Sequence, residues 1–268
     1  MKLKAFSAPY LVWMIVFIVV PLLMVVYFAV TNENGEFTLE YISDVGQYAN
    51  IFMRSIWLAI IATVICLVVA YPVSYLLSRM DKHKQGTMLM IVMLPMWMNF
   101  LLRTYAWMTL LGNNGIINQL LGLIGLGPFK LINTEGAVVL GMVYNYLPFM
   151  ILPLYSVMVK IDKSIIEAAS DLGCNSINTL FRVVFPLSLP GVTSGITMVF
   201  VPAISTFIIS RMLGGGSNLL IGDLIEMQFL GNSYNPHLGA AISMVLMVII
   251  LVIMTVMNQF SPDDQVLI

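Results

Sequence analysis

Few residues of this 268-residue chain stand where they could do chemistry. Asp223 and Glu226 lie one helical step apart, a spacing that suits either reception of a cationic group or plain solvation. Asp263 and Asp264 form a pair in the tail without a distal carboxylate partner, so they read as a solvated C-terminus rather than a metal site. His83 and His237 are isolated and lack the spacing of a zinc set. Cys66 sits in an apolar run and Cys174 in a polar segment, which implies no disulfide framework. GGGSNLL at 214–220 is rich in glycine but lacks the lysine of a phosphate loop, and no G-x-x-x-x-G-K-[ST] occurs in the chain. With no HExxH and no nucleophile–base set, the residues point to binding and passage rather than catalysis.

Aromatic residues are better placed. Trp97, Tyr105, Trp107, Tyr144 and Tyr146 gather in two apolar runs. Their ring faces attract ammonium groups by ~0.5–2 kcal/mol each. The same ring types also form interfacial belts at helix ends, and spacing alone leaves both roles open. Arg103 lies well inside an apolar run, where an ionisable residue is a functional suspect. A structural role suits it best: snorkelling outward, or pairing with backbone carbonyls or an outer carboxylate.

The elements that must hold these residues are membrane helices. The chain is 60% hydrophobic and 9% charged, against about 25% charged in a soluble domain. So much apolar surface requires lipid as solvent. A net charge of −1 gives no nucleic-acid footprint. Apolar runs near 9–30, 54–79, 87–111, 136–159, 186–210 and 236–258 are each long enough to span, which predicts an all-α integral membrane protein with six transmembrane helices. The first run follows Lys2 and Lys4 but is longer than an ordinary signal segment, and TNENGEF offers no small-residue cleavage site, so it reads as a retained helix. Lys2, Lys4, Arg79, Lys82, Lys84, Lys160, Lys163 and Arg182 then fall on one side, and only Arg54, Lys130 and Arg211 on the other. That bias places both termini in the cytoplasm, N-in and C-in. Residues 1–268 form one membrane domain, with a polar inner loop at about 160–185.

That loop is patterned. Ile161, Ile165, Ala168, Ala169 and Leu172 recur at helical spacing, and Lys163, Glu167 and Asp171 repeat every four residues, in position to pair. Gly173 supplies a helix stop. Asn175 or Ser176 caps a second short helix with Ile177, Leu180, Phe181, Val184 and Phe185 as its apolar set. The expectation is a helix–turn–helix at the cytoplasmic surface. It serves either as an interfacial hairpin or as a docking knob, where small Ala168, Ala169 and Gly173 let a partner backbone approach.

The stretch EAASDLGCNSINTLFRVVFPLSLPG, residues 167–191, resembles the EAA loop of binding-protein-dependent ABC importer permeases. LPMWMNFLLRTYAWMTLLGNNGIINQLL at 94–121, YNYLPFMILPLY at 144–155 and PYLVWMIVFIVVPLLMVVY at 9–27 are similar to the permeases of spermidine/putrescine importers. The usual Leu-Pro ending of the loop appears here as Phe185-Pro186, with Leu189-Pro190 behind it, and Cys174 stands where alanine is common. The resemblance implies a type I ABC importer permease fold in a bacterial inner membrane. It makes Glu167, Ala168, Ala169, Asp171, Leu172 and Gly173 a coupling helix that seats on an ATPase subunit. It also implies the partners: two ATPase subunits that use ATP and Mg, a homologous second permease and an extracytoplasmic polyamine-binding protein. The chain itself would bind no cofactor. Trp97, Tyr105, Trp107, Tyr144, Tyr146, Ser205, Thr206, Asp223 and Glu226 become candidates for the substrate pathway. The fifth run, interrupted by Pro186, Pro190, Gly191, Gly195 and Pro202, is expected to line the translocation cavity, where Ser194, Thr197, Ser205 and Thr206 satisfy freed backbone groups. Importers of another small solute, such as iron, sulfate or thiamine, remain alternatives. A secondary carrier fits less well, because it usually needs a titrating intramembrane carboxylate that this chain lacks.

Overall fold

The computed structural model describes residues 8–259 except 217 and 232. The readings made on Lys2, Lys4, Asp263 and Asp264 lie outside the described residues. Among the described residues the chain is helical, and its sole extended pairing is an isolated bridge between Thr31 and Phe37. Helix α1 (Pro9–Ala29) is apolar and exposed on almost all sides, as expected of a helix that meets lipid. Helix α2 (Glu40–Arg79) runs for 40 residues. At 1.5 Å per residue that is about 60 Å, twice the hydrocarbon thickness, so it projects beyond the bilayer. Three further helices are long and apolar enough to cross: α6 (Glu135–Met158), α8 (Ser176–Ile204) and α11 (Pro236–Gln259).

The third apolar run departs from expectation. It is not one straight span over 87–111 but two limbs, α3 (Lys82–Trp97) and the α4–α5 arm (Phe100–Leu111, Ile116–Leu123), bent by 85°. Pro95 withdraws an amide donor near the end of α3. Asn99 then caps α4, its Oδ1 accepting from the Leu101 amide at 2.8 Å and the Leu102 amide at 3.4 Å. Among the described residues, a sixth crossing therefore exists only as this broken pair.

The core is a three-helix contact of α2, α6 and α8. Ala59, Ala62, Cys66 and Ala70 line one stripe of α2 and are fully buried. On α8 a Cβ at Gly191 would stand 3.0 Å from the Pro153 carbonyl, and one at Gly195 would stand 2.6 Å from Met150 Sδ. Small residues let helices approach where lipid supplies no hydrophobic drive between them. Polar side chains add fixed points: Tyr71 Oη bonds Ser188 Oγ at 3.0 Å, and Ser74 donates to the Ile151 carbonyl at 3.2 Å. Contrary to the interruption expected, α8 continues through Pro190 and Pro202 and breaks only beyond Ile204. A short helix α9 (Ile208–Gly214), then α10 (Ile221–Leu230), come next, on the same side as the α4–α5 arm.

Candidate functional site

The inner segment folds as its local chemistry dictates. Helix α7 (Lys163–Asp171) opens on Asp162, whose side chain accepts the Ser164 amide at 3.0 Å. That bond holds the exposed Asp162 carboxyl below its ordinary value. Its far end is a Schellman turn: the Gly173 amide bonds the Ser170 carbonyl at 2.9 Å, the Cys174 amide bonds the Ala169 carbonyl at 3.0 Å, and Gly173 takes φ +81°. Asn175 caps the start of α8, accepting the Asn178 amide at 2.8 Å. The second helix is not a separate surface element, however. It passes through a π turn at Leu180–Val184 straight into the membrane helix, so α8 is one 29-residue unit from the turn to the outer break. Pro186 does not end it, because it directly follows the π turn at Leu180–Val184, where the regular i→i−4 ladder that its missing amide would join is already interrupted.

Glu167, Ala168, Asp171 and Gly173 are exposed, and Leu172 is 86% exposed. Ile177 and Phe181, at the start of α8, are exposed as well. Ala169, expected on that docking face, is instead buried within the chain. Its small side chain serves the packing of α7, and Leu172 takes the outward place. Lys163, Glu167 and Asp171, expected to pair, form no ion pair among the described residues, so both carboxylates remain open to a partner. Arg79, which spacing did not single out, anchors the base of the segment. Its guanidinium donates to the Ile161 carbonyl at 3.0 Å and the Met158 carbonyl at 3.4 Å, tying the end of α2 to the turn before α7. Its position in the last turn of α2 was the available signal.

On the other side, the two acidic candidates are committed to structure. Asp223 is 2% exposed at the start of α10, where its Oδ2 accepts the Leu220 amide at 3.0 Å. Burial pushes its carboxyl above the ordinary value, against the opposing influence of Ser210, that amide and Arg211. Glu226 is paired to both terminal nitrogens of Arg211. Neither is the solvated loop acid that spacing suggested. Arg54 likewise holds Glu135 at 2.6–2.8 Å and reaches Asn218, joining α2, α6 and the loop before α10.

The aromatic candidates divide. Trp97, beside the break between α3 and α4, is 73% exposed, and Tyr105 is also exposed. Trp107 meets Tyr144 edge to face at 5.4 Å along an apolar groove. Tyr146 is buried and lies elsewhere: its hydroxyl donates to the Pro202 carbonyl at 3.2 Å. With Ser205 and Thr206 it lines a cavity of about 210 Å³ at the break beyond α8, and Phe100 and Phe207 close the remaining walls. Polarity and ring chemistry single out Tyr146, Ser205 and Thr206 in the sequence but not the two phenylalanines, whose only signal is their place next to Asn99 and the 205–206 polar pair. Arg103 lies one turn along α4 from Phe100, is 8% exposed, and sets its guanidinium carbon 5.9 Å from the Phe100 ring. Its Nε and Nη1 make no hydrogen bond among the described residues, so the anticipated carbonyl or carboxylate partners are not at those atoms.

Comparison with known proteins matches residues 56–262 to the family described as binding-protein-dependent transport system inner membrane component. The spermidine/putrescine transport system permease protein PotB of Haemophilus influenzae is 37% identical over 247 residues, covering 88% of this chain and 86% of the relative. PotB of Escherichia coli is 35% identical, with 88% and 90% covered. A PotB homolog of Mycoplasma pneumoniae is 31% identical, with 82% and 77% covered. In three dimensions the chain resembles a chain in the crystal structure of a bacterial ABC transporter involved in the import of the acidic polysaccharide alginate, with TM-score 0.83 at 15% identity and 98% and 96% coverage. It is also similar to a chain of a bacterial alginate ABC transporter in complex with a pentasaccharide-bound periplasmic protein, with TM-score 0.82 at 15% identity and 97% and 93% coverage.

Proposed function

Because the chain belongs to the family of binding-protein-dependent transport inner membrane components, we propose that it is a permease subunit of an ATP-driven importer that carries spermidine or putrescine across the inner membrane. The carrying observation is the identity of more than a third to a spermidine/putrescine permease over 88% of the chain. An extracytoplasmic binding protein supplies the polyamine, and a homologous second permease completes the pathway. Two ATPase subunits seat on the α7 segments of the two permeases and hold the ATP and Mg. Closing of the ATPases pushes α7, and α8 carries that push as one rigid helix to its break at 205–207, beside the aromatic cavity. Selectivity then belongs chiefly to the binding protein, since a conduit must release its cargo.

Catalysis belongs to the partners in this scheme. Purified alone, the chain should hydrolyse ATP only at background rate, and turnover should appear when its ATPase is added. Turnover that stays with the isolated chain would refute the subunit role. The orientation rests on the basic residues of the α3 and α7 ends. Cysteines placed at Asn34 and Ser233 should react with an impermeant reagent from outside, and one at Lys82 only from inside; the opposite pattern would invert the scheme.

A further inference from the structure

We propose that the cavity at the break beyond α8 is a station for a single primary ammonium group, the end of an alkylamine chain. This rests on the polyamine reading and gives it a place. Three aromatic rings, Phe100, Tyr146 and Phe207, stand around about 210 Å³, and aromatic faces attract alkylammonium. The polar atoms there are acceptors or hydroxyls: the Pro202 carbonyl, Ser205 Oγ and the Thr206 side chain. They belong to the C-terminal end of α8, the negative end of a 29-residue helix, where last-turn carbonyls lack intrahelical partners. Among the described residues, no side chain of lysine, arginine, aspartate or glutamate lines it. An ammonium therefore meets carbonyls and rings without a carboxylate that would hold it too long.

Arg103 sets the limit on affinity. Its guanidinium already covers the Phe100 ring at 5.9 Å, and its Nε and Nη1 have no hydrogen-bond partner among the described residues to neutralise them. A fixed positive charge one turn away opposes the ammonium, leaving Tyr146 and Phe207 as its main ring contacts. The station is thus weak by construction, and it lies where α8 ends and a push along that helix would change its shape.

The test uses the whole importer, this chain with its second permease, ATPases and binding protein, in proteoliposomes with radiolabelled spermidine. Phe207→Leu should lower uptake about tenfold, whereas Phe207→Trp, which keeps an aromatic face, should stay within about twofold of wild type. Arg103→Gln should lower both the half-saturating concentration and the maximal rate, because a tighter station releases more slowly. Copurification of the ATPase reports assembly for each variant. A Phe207→Leu complex that assembles and transports as wild type does overturns the station while leaving the importer standing. Equal loss in Phe207→Leu and Phe207→Trp, with assembly intact, overturns it as well by removing the ring dependence. A wild-type complex that carries no spermidine overturns both.

Discussion

Replacing Gly173 by valine should release the ATPase from the complex and abolish transport, while the chain still inserts. The residue takes φ +81° in the Schellman turn that ends α7, and a β-branched side chain there costs about 1–3 kcal/mol. Among the described residues, no atom lies within 4 Å of a Cβ at this position, so strain rather than an internal clash drives the effect. Relief of that strain would turn Leu172 and α7 away from their present direction. The membrane helices are untouched, so insertion and detergent yield should hold. Leu172→Asp offers a second route to the same loss, since this side chain is exposed and its own fold does not depend on it. Pull-down of the ATPase from detergent extracts checks both. Retention of the ATPase by both variants, with normal transport, would reduce the segment to an interfacial hairpin.

Gly222→Ala should destabilise the outer side of the chain strongly. A Cβ there would stand 2.5 Å from the carbonyl oxygens of Ser205 and Thr206 and 2.8 Å from the Thr206 carbonyl carbon. These are main-chain atoms of the break itself, which cannot swing aside as a side chain would. Overpacking of this kind costs about 1–3 kcal/mol, which for a chain of this size lowers the thermal midpoint by about 2–12 °C. Gly86→Ala is the control: nothing lies within 4 Å of its Cβ, and alanine favours the α3 helix by about 1 kcal/mol. A thermal shift assay on the purified complex should separate the two. Equal midpoints would mean that α10 does not clamp the break.

Much of this architecture is legible in the sequence because bilayer thickness imposes it. Five apolar runs became unbroken spans, and Gly173 and Asn175 took the stop and cap positions that their chemistry favours. The third run differs from its hydropathy because a single polar residue, Asn99, is averaged into the apolar residues on either side of it. Only Pro95 and the capping Asn99 mark the break. The second helix of the inner loop differs for the converse reason: Pro186 looks like a stop, yet it follows a π turn and the helix runs on through it. Asp223 and Glu226 do stand one helical step apart, but their partners are hidden from a linear reading. Arg211 comes from another helix, and the amide at Leu220 is a backbone group that no spacing rule exposes. Ala169 and Leu172 share a periodic stripe, and which of them faces inward depends on how α7 rests on the bundle. The cavity is half legible, since Ser205, Thr206 and Tyr146 are marked by polarity and ring chemistry, while Phe100 and Phe207 look like ordinary lipid-facing residues.

The alginate transporter shows how little the fold decides about cargo: a chain with TM-score 0.83 belongs to a transporter involved in importing an acidic polysaccharide. The cargo is therefore best decided by transport itself. The chain, reconstituted with its second permease and ATPases in proteoliposomes, should accumulate labelled spermidine when ATP and the loaded binding protein are supplied, each on its proper side. Uptake should vanish without ATP and fall when unlabelled putrescine competes. ATP-dependent accumulation of sulfate, thiamine or iron in place of spermidine, or spermidine entry that persists without ATP, would contradict the account.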